Sequence, residues 1–287
     1  MPCAGRSARA RPDAPPVKIL EIRIQVNAAT SQTPPTVDVV IPVLNERKVL
    51  AQSTETVRAY LREKTNYRGR VVIVDNGSTD GTKEIGEDLA RRYPDVEFIH
   101  LTERGRGRAL RIAWMRSRAE ICAYTDVDLS TDLKHLNALV DGIAYEGFDL
   151  ATGSRLHPAS ETKRGFKREF ISRSYNLLVK VLLGTRFSDA QCGFKAVSRR
   201  VIETVIPQVA DQGWFFDTEL LTLAERQGFK IKDVPVRWID DDDSRVKILK
   251  TAWDDIKGVL RVRRTLAEAR RKHTPIPVVH AHTRTSP

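Results

Sequence analysis

Two carboxylates one residue apart, Asp126 and Asp128, close the apolar run Ile121–Thr125, and the small hydroxyl residues Ser130 and Thr131 follow. Side chains alternate along an extended strand, so the pair is expected on one side, roughly 6.5–7 Å apart along the backbone. Like charges this close repel unless a cation or hydrogen-bond donors compensate them. Oxygen-only donors suit a hard divalent ion, Mg2+ or Mn2+, and a cation or diphosphate beyond the strand end would meet both. Alone the pair reads equally as a solvated turn, and other chemistry-bearing residues at comparable places strengthen the site reading.

Glu46 follows the run Val39–Leu44, and Asp75 ends Val71–Val74. Gly105-Arg-Gly-Arg108 opens an apolar helical pattern, and its arginines favour a phosphate-facing loop over a plain tight turn. Arg155 ends another strand-like run, and Arg168 and Arg173 lie in a basic stretch with Phe166 and Phe170 interleaved. Forked guanidinium donors match phosphate oxygens. Asp217 and Glu219 stand near the start of a helical pattern, where the helix dipole favours acidic side chains and capping is the plain reading.

The elements that position these groups follow from periodicity. Val39–Ile41 reads as a buried strand ended by Pro42, then Asn45 as the cap of a helix to about Lys64. Val71–Asp75 and Val96–His100 are strands, separated by the turn Asn76–Thr82 and a helix to about Tyr93. A helix from Ala109 to about Ser117 leads to the strand bearing the Asp pair. Further on come a helix near Leu133–Glu146, a strand from Asp149 and an apolar helix Tyr175–Leu183. A polar turn Ser188–Lys195 before a helix, a final strand Ile231–Ile239 and a helix from Lys247 to about Lys272 complete the pattern. This alternation predicts an α/β fold, a single doubly wound, mostly parallel sheet flanked by helices. Ligands of such sheets bind beyond the carboxyl ends of the strands, where Glu46, Asp75, Gly105 and Asp126 converge. A redox dinucleotide is disfavoured because Leu110 stands where its fingerprint requires Gly or Ala, and no phosphate loop ends in Gly-Lys-Ser/Thr.

The 287 residues divide into a basic, Pro-rich tail at 1–36 expected to be disordered, an α/β domain at 37–265, and a basic helix end and tail at 266–287. Three widely spaced cysteines argue against a disulfide scaffold. With 48 Lys+Arg against 37 Asp+Glu the net charge is +11, which suggests a polyanionic partner. No run reaches 18 apolar residues and no signal peptide is evident, so membrane contact is expected to be peripheral, with Tyr175–Leu183 and the basic C-terminal helix as candidates. Nucleic-acid binding is the rival from another class, but no binding module accompanies the charge.

The segments Val39–Glu46, Val74-Asp-Asn-Gly-Ser-Thr-Asp-Gly81, Gly105-x-Gly-x-Ala-Leu110, Asp126-Val-Asp128, Gly153-Ser-Arg155, Asp189-x-Gln-Cys-Gly-Phe-Lys195 and Trp214–Glu219 occur in the order seen in family 2 glycosyltransferases. Over roughly residues 37–265 the chain most resembles the dolichyl- or polyprenyl-phosphate glucosyltransferases. The resemblance implies a GT-A fold, a UDP-glucose donor, a polyprenyl phosphate acceptor, Mg2+ or Mn2+, inversion at the anomeric carbon, and a cytoplasmic enzyme peripheral on the inner face of a membrane. GDP-mannose or a UDP-N-acetylhexosamine is the alternative donor, and a non-lipid molecule the alternative acceptor. By the resemblance Pro42, Glu46 and Asp75 hold the nucleoside, and Gly105 and Arg106 belong with them at the donor. Asp126 faces ribose and metal, and Asp128 ligates the metal. Ser130 stands where related lipid-phosphate mannosyltransferases often carry Gln. Arg155, Arg168, Arg173 and Arg245 are assigned to the acceptor phosphate, and Asp217 to the acceptor or a sugar hydroxyl.

Overall fold

Three runs, Val37–Ile41, Val71–Val74 and Ile121–Tyr124, are apolar at every position but Asp38, and such runs are stable only as strands covered on both faces. The computed structural model describes residues 33–163, 165–239, 248–272, 276 and 278, with the side chains of 166–168 and 248–252 outside that description. The expected N-terminal tail falls almost wholly outside these residues, as do Arg245, the acidic run 240–243 and most of the C-terminal tail.

The order is β1 (Thr36–Val43), α1 (Leu50–Lys64), β2 (Arg68–Asp75), α2 (Thr82–Arg92), β3 (Val96–His100), α3 (Arg106–Arg116), β4 (Ile121–Thr125) and α4 (Leu136–Ala144). Then come β5 (Leu150–Ser154), β6 (Glu161–Lys163), α5 (Phe166–Leu183), β7 (Phe194–Ser198), α6 (Arg199–Thr204), α7 (Phe216–Arg226), β8 (Ile231–Pro235), β9 (Arg237–Ile239) and α8 (Ile248–Lys272). Seven strands form one sheet in the order β3-β2-β1-β4-β7-β5-β8, parallel except for β7. Strand alternation divides the core in two. Val39, Ile41, Val71 and Ala123 pack with α1, α2 and α4, whereas Val40, Val72, Cys122 and Tyr124 face α3, α6 and α7. This is the expected doubly wound architecture.

Several local expectations are corrected. β1 runs through Pro42 to Val43, because the Val43 carbonyl turns to Asn76 on the β2 side and leaves the missing Pro42 N–H on the side where pairing with β4 stops at Val40. Asn45 does not cap α1, which starts at Leu50; it sits at φ 57° and accepts from the Thr79 amide. The polar turn at Ser188–Lys195 leads into a strand, β7, not a helix. Ile231–Ile239 is two strands, and β9 leaves the main sheet to pair with β6 in a second, two-stranded sheet. β4 ends at Thr125, so Asp126 and Asp128 belong to the following turn and not to the strand.

Gly107 is a glycine for packing, and Gly105 is one both for packing and for its φ of 152°. A Cβ on Gly105 would lie 2.5 Å from the Gln212 carbonyl oxygen, and one on Gly107 would lie 2.5 Å from Phe216 Cβ. The Gly107 and Arg108 amides donate to the Gly213 and Gln212 carbonyls, so the start of α3 is closed by the loop before α7 and does not offer these amides to a phosphate. Alanine stabilises an exposed helix by about 1 kcal/mol over glycine, but overpacking costs about 1–3 kcal/mol. Gly107→Ala is therefore expected to lower unfolding free energy by about 1 kcal/mol in urea titrations; an increase would show that α3 and α7 have room to separate.

Candidate active site

At the carboxyl ends of β1 and β2 two loops are stitched together. The Asn45 amide donates to Ser78 Oγ and the Glu46 amide to Thr82 Oγ1, both at 2.8 Å, and the Arg47 amide reaches Asp80 Oδ2. Pro42 and Glu46 are half-buried here. Asp75, expected to touch a nucleoside, is fully buried: His100 Nδ1 lies 2.7 Å from its Oδ2, and the Ser78 amide donates to it.

Strand pairing builds the centre. Tyr124 on β4 lies opposite Lys195 on antiparallel β7, and both side chains point to the α3/α7 face. Lys195 has 0% side-chain exposure and Asp217, in the first turn of α7, has 1%. Lys195 Nζ lies 3.2 Å from Asp217 Oδ1, and the Tyr124 hydroxyl donates to that oxygen at 2.7 Å. Asp217 Oδ2 accepts from Arg106 NH1. Arg106 NH2 donates to the Tyr124 hydroxyl at 3.0 Å and to Asp126 Oδ1 at 3.2 Å. Burial pushes the Asp217 pKa up, but Lys195 and Arg106, with the Tyr124 and Arg106 hydrogen bonds, outweigh it and hold the carboxyl below its ordinary value. Burial drives the Tyr124 phenol well above its usual value, so it stays protonated.

Asp217 is thus neither a helix cap nor a group with surface for an acceptor. It is the counter-charge of a buried network whose outer end is Asp126, 44% exposed. Asp126 is fixed on its other side by Gly193, where a Cβ would overlap Oδ2. Gly193 is not among the glycines at positive φ, so space, not backbone conformation, requires it. Asp128 is exposed, and its Oδ1 accepts from the Ser130 amide in a turn that puts Leu129 at φ 52°. Among the described residues no third His, Cys, Asp or Glu joins the pair. Two outward carboxylates with no softer donor fit a hard divalent ion whose remaining positions are left to water and phosphate oxygens.

Arg155, at the end of β5, is gripped by fully buried Asp189: Nε to Oδ2 at 2.7 Å, NH2 to Oδ1 at 3.0 Å, and its amide to Oδ2 at 3.1 Å. Its guanidinium stacks 5.6 Å from the Trp238 ring on β9. β9 is tied to the Asp turn, with Ile239 N donating to the Ser130 carbonyl and Asp132 N to that of Arg237. Arg173 on α5 is exposed and paired to Glu169; Arg168 also lies on α5, its side chain undescribed. Lys195, Tyr124, Asp189 and Gly193 hold the candidate site together, and sequence reasoning left them without a role. Tyr124 was legible from its two-residue spacing to Asp126, and the others from the motif that contains them.

The family model described as "Glycosyl transferase family 2" matches residues 38–206, more than half of the chain. The chain belongs to this family. Among characterised relatives, the glycosyltransferase AglD of Haloferax volcanii is 36% identical over 228 residues, 78% of this transferase but only 35% of the archaeal protein. The dolichyl-phosphate beta-glucosyltransferase of Saccharomyces cerevisiae is 31% identical over 239 residues, 76% of this chain and 70% of its own. The fold matches GT-A enzymes. Mannosyl-3-phosphoglycerate synthase from Rubrobacter xylanophilus superposes with TM-score 0.61 at 17% identity, covering 84% of this chain and 76% of that one. Glucosyl-3-phosphoglycerate synthase from Mycobacterium tuberculosis, solved with Mn2+, UDP and glucosyl-3-phosphoglycerate, gives 0.56 at 18%, covering 84% and 81%. These structures establish the fold of this family 2 transferase.

The Asp189–Arg155 pair has a pH signature. Burial raises the Asp189 pKa, but Arg155 overrides it and brings it down to about 2, below the unfolded value near 3.9. Its contribution is therefore complete above about pH 4 and is lost as pH falls towards 2. Asp189→Asn strands a buried guanidinium and is expected to cost about 3 kcal/mol at pH 7. The gap between the two proteins should close between pH 4 and 2 in denaturant titrations; a pH-independent gap would remove the ion pair as its cause.

Proposed function

We propose that this glycosyltransferase moves glucose from UDP-glucose to a polyprenyl phosphate of dolichyl type, with inversion, as a peripheral protein on the cytoplasmic face of a membrane. The observation that carries the reading is the similarity to dolichyl-phosphate beta-glucosyltransferases across 76% of the chain. A β-linked product is what inversion of an α-linked donor yields. The solved M. tuberculosis relative in fold holds UDP and Mn2+, which supports a nucleotide-sugar donor and a divalent ion.

In this reading Pro42 and Glu46 line the nucleoside end, with Asp75 acting from behind His100. Asp126 and Asp128 hold Mg2+ or Mn2+, which supplies Lewis-acid stabilisation of the leaving diphosphate. A polyprenyl phosphate is already ionised near neutral pH, so no strong general base is required, in keeping with the burial of Asp217. Arg155, Arg168, Arg173 and Arg245 hold the acceptor phosphate in line with the anomeric carbon. Asp189 fixes the Nε–NH2 edge of Arg155 before any ligand arrives.

Membrane contact is supported by where apolar surface lies. Four of the exposed large hydrophobics, Phe170, Ile171, Leu177 and Val181, are on α5, and three, Trp253, Ile256 and Leu260, are on α8, which packs against it. Arg173 and Lys180, and Lys257 and Arg264, accompany these ridges. Amphipathic basic helices of this kind rest on anionic bilayers. No described helix is long and apolar enough to cross a membrane.

Radiolabelled UDP-glucose and GDP-mannose, offered in parallel with dolichyl phosphate in anionic vesicles, test the assignment. Lipid-linked product is expected from UDP-glucose only, dependent on Mg2+ or Mn2+ and reduced at least about 100-fold in Asp128→Ala. Product from GDP-mannose alone would reverse the donor, and undiminished transfer by Asp128→Ala would remove the Asp pair from the chemistry. Leu177→Glu combined with Leu260→Glu should abolish co-sedimentation with those vesicles while leaving the fold intact; unchanged sedimentation would move the contact to another face.

A further inference from the structure

The buried network is not charge-balanced without Asp126. Lys195 and Arg106 contribute two positive charges, Asp217 one negative charge, and Tyr124 none, so the interior group is one positive charge in excess. Asp126 supplies the missing negative charge through its contact with Arg106. If a divalent ion draws on the same carboxylate, Arg106 loses part of its compensation just as an anionic diphosphate arrives with the ion. The Arg106 side chain is not sealed off, with 11% of it exposed. Its Nε is buried and has no hydrogen-bond partner among the described residues, and the indole of exposed Trp214 lies 5.1 Å from its guanidinium.

We propose that Arg106 is a two-state counter-ion, paired to Asp126 in the metal-free protein and turned to the nucleotide's diphosphate in the loaded one. It is a binding residue that exchanges one anion for another, so that the metal site is restrained until both metal and nucleotide are present. The inference rests on the metal role proposed for Asp126 and Asp128. A fixed positive charge beside a carboxylate opposes a second cation there, by about a factor of ten at partly exposed distances. The same charge favours a bound diphosphate through charge-assisted hydrogen bonds of similar worth.

The test is Mn2+ binding, followed by electron paramagnetic resonance, for the wild type, Arg106→Gln and Arg106→Lys, with and without UDP. Lys195 still neutralises Asp217 in Arg106→Gln, so that variant is expected to fold. Mn2+ alone should bind Arg106→Gln about tenfold tighter than wild type, and in the presence of UDP about tenfold weaker. Arg106→Lys, which keeps the charge, should stay near wild type in both conditions. An effect of one sign in both conditions, or Arg106→Lys behaving like Arg106→Gln, overturns the proposal, since a merely structural role produces those results. Asp128→Ala separates the two readings. Mn2+ binding by wild type that this variant loses upholds the metal site whatever Arg106 does, and a wild type that binds no Mn2+ with UDP overturns both. A metal-free unfolding cycle provides an independent measure. Asp126→Asn should lower the melting temperature by leaving Arg106 uncompensated, and Arg106→Gln in the same chain should restore it; additive effects would sink the counter-ion role.

Discussion

The site depends on keeping one carboxylate, that of Asp217, charged where no water reaches it. An isolated ion in such a place is neutralised or expelled, and breaking a buried pair by removing one partner typically costs about 3–5 kcal/mol. Here Lys195 and Arg106 make the charge tenable, and Tyr124 lends a hydroxyl to the same oxygens. The three partners arrive on β7, α3 and β4, so satisfying one charge fixes the relative positions of three elements around α7. Asp126 inherits its position from that arrangement, held by Arg106 on one side and by the bare backbone of Gly193 on the other.

A second ion pair, Asp189 with Arg155, does for the end of β5 what the first does for the Asp126 turn. Asp189 and Gly193 flank Cys192 on the loop that enters β7, and from there they reach Arg155 and Asp126 respectively. One short segment, Asp189–Lys195, therefore contributes the partner of Arg155, the backbone against which Asp126 rests and the buried lysine. β7 is inserted antiparallel between β4 and β5. It brings a third loop against two parallel strand ends that would otherwise be adjacent.

Much of this was legible in the sequence, and what was not has a common cause. The doubly covered strands β1, β2 and β4 announce themselves because burial on both faces demands unbroken apolar runs. The crevice followed from where those runs stop. β7 escaped notice because Lys195, fully buried among Phe194, Ala196 and Val197, interrupts the apolar run by which a doubly covered strand is recognised. Asp217 read as a cap because its position in the helix is typical of one, and only partners 22 and 111 residues away reveal the other use. The Asp pair was placed on a strand that ends one residue too early, since Leu129 in the left-handed region makes a turn that leucine does not advertise. In each case the deciding interaction was distant in the chain, and local propensity carries no record of it.

The distances along the chain bear on how the protein is made. During synthesis the first four strands and α3 are complete well before Asp217 is added, and Lys195 emerges with its counter-charge still unsynthesised. Until α7 docks, Arg106 and Lys195 have no reason to leave water, and the Asp126 turn lacks its anchor. The β3-β2-β1-β4 half of the sheet is thus free to form early, whereas the anchored Asp126 turn belongs to the last stage of folding. A nascent chain halted before α7 would already contain both Asp126 and Asp128 while being unable to hold them in place.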